Sequence, residues 1–135
     1  MADRIALTGV QPCRLLPGSV NAADLAFNSF RRSKLTDTVF PEKLPRYVAC
    51  GRPVLATPLP PARESLEGER NGVVFRELGP DFIYALAAIL GDPQLCAQLG
   101  SAARTFVEAN YEWNKTIDVL EDVLALVVDE ARRTA

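Results

Sequence analysis

The sequence predicts an α/β protein, a Rossmann-like parallel sheet of about four short strands with flanking helices, in one domain over 1–135. Two observations predict it. Short apolar runs such as PVLAT (53–57) and GVVF (72–75) do not alternate with polar residues. Such runs suit strands covered on both faces, and helices on both faces imply a parallel sheet. The last third of the chain carries apolar residues at helical spacing. The 135 residues, 48% hydrophobic and 24% charged, suffice for one core.

In chain order, RIALTG (4–9) reads as a first short strand ending at glycine. Residues 13–16 allow a short helix. Leu25, Ala26 and Phe27 suit a buried strand that Asn28-Ser29 ends, and 31–40 reads as a polar, basic loop. A short helix runs from Lys43 to Cys50. Pro45 is tolerated only in a first turn, which pins the start near Lys43, and Gly51 supplies the left-handed cap. Strand 53–57 follows, then a proline-rich loop with Pro58, Pro60 and Pro61, then strand 72–75 entered through the turn pair Asn71-Gly72.

Phe82, Leu86 and Ile89 share one helical face, and Gly91 ends that helix. Asp92-Pro93 reads as an N-cap followed by a proline at the first helical position. Leu95, Leu99, Ala102 and Phe106 mark the next face. The final helix carries a stripe of Trp113, Ile117, Leu120, Leu124 and Val127, with Trp113 expected as a core anchor. A second apolar side, with Val119, Val123, Leu126 and Val128, is either a contact surface or part of one wide buried face.

Composition excludes several chemistries. With no histidine there is no Ser-His-Asp or Cys-His relay and no His-ligated metal. Cys13, Cys50 and Cys96 form no C-x-x-C pair, so no metal site is expected, and each cysteine reads as a small core residue in a reducing compartment. The formal net charge of −2 gives no electrostatic case for nucleic acid. The opening residues lack a leader pattern and no apolar run approaches membrane-span length, so the expected location is cytoplasmic.

In open α/β sheets ligands sit beyond the carboxyl ends of strands. The loops 28–42 and 58–64 both lie at such ends, and the helix opening at Lys43 aims its first amides there. Lysine beside free amides suits a diphosphate, with the Lys43 and Leu44 N–H groups as donors. An ordinary capped helix end is the competing reading. Arg31, Arg32 and Lys34 either steer an anion or form a solvated loop.

The ordered set Ala23-Asp24, Pro41-Glu42-Lys43, Tyr47, Ala49-Cys50-Gly51-Arg52-Pro53-Val54, Glu64, Asn71-Gly72, Asp92-Pro93, Leu99-Gly100, Ala103-Arg104 and Tyr111-Glu112-Trp113 covers most of the chain. It resembles the C-terminal, donor-binding domain of group 1 glycosyltransferases with a GT-B fold. The resemblance implies a partial nucleotide-sugar-binding domain that takes part in hexosyl transfer from a nucleotide diphosphate sugar. It implies no metal, no cofactor beyond that substrate and no activity alone. The implied donor-facing positions are Thr38, Phe40, Pro41, Lys43, Leu44, Arg46 and Glu64, with no catalytic residue among them. Glu64 either contacts the sugar or caps the next turn. Thr38 and Arg46 stand where the family usually carries two carboxylates, and a guanidinium cannot accept ribose hydroxyls. Arg46 could still contact a phosphate.

In the family sheet, RIALTG would be the third strand, and another strand would lie between it and ADLAF. Without that strand ADLAF is an unpaired edge. The implied partners are therefore an N-terminal acceptor domain or a second copy meeting the strand edge. The alternative is a degenerate, non-catalytic α/β interaction module.

Overall fold

The computed structural model describes residues 4–66 and 68–134. Among them, a 3-10 turn (Cys13–Leu15) leads into helix α1 (Leu16–Asn21). Strand β1 (Ala26–Asn28), α2 (Lys43–Ala49), β2 (Val54–Ala56), α3 (Pro60–Leu66), β3 (Val73–Phe75), α4 (Pro80–Gly91), α5 (Pro93–Asn110) and α6 (Trp113–Thr134) follow in order. The three strands form one parallel sheet in the order β1-β2-β3, with Ala26 opposite Val54 and Val54 opposite Val73.

Strand pleating divides the core into two faces. Val54, Ala56 and Val73 join Leu44 and Val48 of α2 and Ala103 of α5 in one cluster. Leu55 and Val74 point the other way, onto Phe82 and Ile89 of α4 and Leu99 of α5. Consecutive strand residues are thus buried on opposite sides, which is why the runs do not alternate.

Gly51 closes α2 at φ +65°, with its N–H donating to the Val48 carbonyl, as a left-handed cap requires. The Asp92 carboxylate accepts from the Gln94 and Leu95 amides and opens α5. The Arg104 guanidinium donates to the Ala49 carbonyl at 2.7 Å, tying the end of α2 to α5.

Several expectations are corrected. Among the described residues there are three strands, not four: residues 5–9 form no ladder, and Ile5 and Leu7 are exposed. A strand needs a neighbour to satisfy its amides, and this segment meets none. Phe27, expected as buried, is 57% exposed: it shares a sheet face with Leu55 and Val74 but is not packed in the cluster with α4 and α5 that covers those two. Pro60 and Pro61 open helix α3 rather than sit in a loop, since two prolines are tolerated within a first turn. In α5 the buried alanine is Ala103, not Ala102, because the backbone at Gly72 packs against it. Cys13 is exposed rather than buried. The largest correction is α6, where every residue from Trp113 to Arg133 is exposed and Trp113, the expected anchor, is 73% exposed.

Candidate functional site

The polar loop after β1 is more ordered in its bonding than its composition suggests. The Ser33 and Thr36 hydroxyls bond the backbone and each other, which folds 31–36 into a compact turn. Arg32 grips Asp37 through two bonds at 3.0 and 3.2 Å and lies 4.0 Å from Glu77 beyond β3. The bond and the charge of Asp37 raise the Arg32 pKa, so this arginine is a fixed cation of the loop. Asn28 and Thr57 hold the loop's base: the Asn28 carbonyl accepts from the Thr57 amide at 3.0 Å, and both residues are buried.

Between this loop and the start of α2 lies a cleft of about 550 Å³, lined by Phe30, Leu35, Thr36, Val39, Phe40, Pro41, Glu42, Lys43, Arg46 and Leu59. Phe30 follows β1 and Leu59 follows β2, so the cleft opens at the carboxyl ends of both strands. Its walls are mainly apolar, and its charged rim carries Lys43 and Arg46 with Glu42. Arg46 lies 3.9 Å from Glu42, a loose, exposed pair. Among the described residues no group of three His, Cys, Asp or Glu side chains is placed to hold a metal, and no single helix is long and apolar enough to cross a membrane.

The structure brings together Phe40, Pro41, Lys43 and Arg46 in this cleft. It sets the other expected positions apart. The Thr38 hydroxyl bonds the Lys34 and Leu35 carbonyls at 3.3 and 3.0 Å, so it closes a turn. The Leu44 amide, expected as an open donor, bonds the Pro41 carbonyl at 3.0 Å, and its side chain sits in the core. A seven-residue helix whose first turn is closed in this way offers fewer free amides than its sequence suggests. Glu64 is an exposed residue of α3 and does not line the cleft.

Sequence reasoning missed Phe30, Leu35, Val39 and Leu59 as cleft walls. The signal was present: apolar residues interrupt a loop that otherwise reads as polar, and Leu35 and Val39 remain exposed.

A second hollow of about 510 Å³ lies beyond β3, where Arg63 and Arg76 stand with Glu77 and Asp81. Glu77, at the edge of this hollow, lies 4.0 Å from Arg32 of the loop after β1.

No curated protein is significantly similar to the chain in sequence. Among solved structures, sucrose-phosphate synthase from Thermosynechococcus elongatus superposes with a TM-score of 0.74 at 19% identity. That match covers 95% of this chain and 31% of the synthase chain, so the chain spans about a third of that relative's length. At this identity the likeness speaks for the fold, a partial GT-B domain with a parallel sheet between helices. The sequence model of the family described as glycosyl transferase-like matches residues 14–122, from the turn before α1 into α6. With the loop-helix-strand unit of the cleft inside that span, the chain belongs to the glycosyl transferase-like family.

Proposed function

We propose that the chain is the donor half-site of a glycosyltransferase, taking the diphosphate of a nucleotide-linked hexose at the cleft between the 30s loop and α2. The observation that carries this reading is the pair of exposed cations, Lys43 and Arg46, on the rim of a cleft at the carboxyl ends of β1 and β2. Lys43 supplies a point charge with three donors, and Arg46 supplies a planar fork that fits phosphate oxygens. Glu42 is a loose partner at 3.9 Å and yields Arg46 to a stronger anion. Phe40 and Pro41 form the adjoining wall toward the sugar.

In the assembled transferase these two cations stabilise negative charge growing on the departing diphosphate, where electrostatic support lowers the barrier. No general base is assigned within this chain, and the reaction is expected to need no metal. The acceptor would be held by residues outside this domain, which accounts for the expectation that the domain alone does not turn over.

Calorimetric titration with UDP, GDP and their sugars tests the reading. Binding is expected, and Lys43→Ala or Arg46→Ala should each weaken it about tenfold through loss of one charge-assisted contact. No heat at roughly millimolar ligand, with the fold intact, would refute the site.

A further inference from the structure

We propose that the cleft also admits a free single-chain lipid phosphate, its phosphate on Lys43 and Arg46 and its hydrocarbon chain on the cleft floor. The proposal goes beyond the donor reading and shares with it only the two cations.

The floor of the cleft belongs to the core of this domain. Pro41 and Leu59 line it and are buried, and Leu59, 1% exposed, sits in one cluster with Leu44 and Val48. Phe40, partly buried, packs against the same cluster. The cleft therefore reaches inward and is more than an uncovered outer face. Phe30, Leu35 and Val39 add further apolar wall.

Polar groups gain little on that floor. Among the described lining residues Thr36 carries the one hydroxyl, which accepts from the Ser33 amide at 2.8 Å and donates to the Arg31 carbonyl at 3.1 Å. None of these lining side chains is an amide, and the Glu42 carboxylate is exposed at the rim. A sugar or base pushed down onto the floor would give up hydration of its polar edge without a side-chain partner in exchange. A methylene chain has no such edge and is stabilised by leaving water.

The charges select the head group. Lys43 and Arg46 are both exposed at the mouth, where a phosphate monoester meets a point charge and a planar fork. An uncharged lipid would leave both unused. The volume of about 550 Å³ is that of a small-molecule site, which suits one chain and not a bilayer surface. A nucleotide diphosphate seats on the same cations, so the two ligands exclude each other.

Calorimetric titration with butyl, hexyl and octyl phosphate, each below its micelle-forming concentration, tests the assignment. The dissociation constant is expected to fall roughly threefold to fourfold per methylene, or about a hundredfold from butyl to octyl. Lys43→Ala should weaken all of them by one common factor, roughly tenfold, and leave that gradient intact. Leu35→Ser combined with Val39→Ser should do the reverse, costing octyl phosphate roughly tenfold and butyl phosphate little. Both side chains are exposed, so circular dichroism should report an unchanged fold. UDP, where it binds, should displace octyl phosphate. A gradient without UDP binding refutes the donor reading and leaves this proposal standing, whereas UDP binding without a gradient does the opposite. The proposal is also overturned by octanol binding as tightly as octyl phosphate, or by bound UDP that fails to displace octyl phosphate. Sedimentation with phosphatidate vesicles in the absence of octyl phosphate binding overturns it too, because a chain held in a bilayer does not enter the cleft.

Discussion

Helices α5 and α6 are neighbours in sequence and similar in length, yet they live under opposite constraints. Along α5, backbones nearly touch: a Cβ built on Gly100 would stand 2.5 Å from the Gly51 carbonyl oxygen, and one on Gly72 would stand 2.5 Å from the Ala103 Cβ. Along α6, no residue from Trp113 to Arg133 is covered. Both carry apolar residues at helical spacing, and α6 has the cleaner stripe. The difference teaches that a stripe shows only that a helix wants a partner. Whether its own domain supplies that partner depends on small residues such as Gly72 and Gly100, which let another segment approach.

The comparison breaks most visibly at Gly72. Its φ of +76° disfavours any side chain, and added atoms would collide with the Leu99 carbonyl and Ala103. Gly72→Val is expected to lower stability by more than about 4 kcal/mol, to the point of abolishing a cooperative thermal transition by circular dichroism. Gly100→Ala is the milder form of the same test. Alanine favours a helix by about 1 kcal/mol over glycine, so a neutral contact would make the variant more stable. Because the new Cβ would sit 2.5 Å from a fixed carbonyl, net destabilisation of about 1–3 kcal/mol is expected in urea unfolding. A stabilised variant would show that α2 and α5 can separate there at little cost. Val48→Ala, in the core beneath the same seam, should cost about 2 kcal/mol by opening a cavity.

The sequence spoke clearly where a single residue decides a local geometry. Pro45 and Gly51 bracket α2, and Asp92-Pro93 starts α5, because each acts within its own turn. It spoke poorly where the outcome depends on distant neighbours. Residues 4–9 have the composition of a strand, but a strand exists only where another strand pairs with it. Phe27 reads as buried because nothing local says that the cover supplied by α4 and α5 to Leu55 and Val74 does not extend to it. Of the residues that line the cleft, Lys43 is legible from the loop-helix pattern, and Phe40, Pro41 and Arg46 only through the family resemblance. The Thr38 hydroxyl and the Leu44 amide find local partners for one reason: an available hydroxyl or amide is satisfied first by a nearby carbonyl, at Leu35 and Pro41 respectively.

The loop that walls the cleft stands between these two extremes, and Arg32 measures how firmly. It makes two bonds to Asp37, at 3.0 and 3.2 Å, but both side chains are partly exposed. Such an exposed pair adds little to stability, so Arg32→Ala should leave the melting transition nearly unchanged. Its expected effect is local: faster amide exchange at 33–38, where the turn loses one of its ties. Protection unchanged there would assign the loop's order to Ser33 and Thr36 alone.

The smallest expected effect is the most informative about α6. Leu126 is 70% exposed and lies off the seam of Trp113, Ile117, Leu120, Leu124 and Val127. Leu126→Ser therefore removes no contact to the body of this chain. It should shift unfolding in dilute urea titrations by less than about 0.5 kcal/mol, within the range of ordinary surface changes, with a small part from serine's weaker helix preference. A loss of about 2 kcal/mol or more would mean that this side of α6 is buried against its own domain in solution. The contrast with α5 would then disappear, and the wide apolar arc of α6 would belong to the core of its own domain.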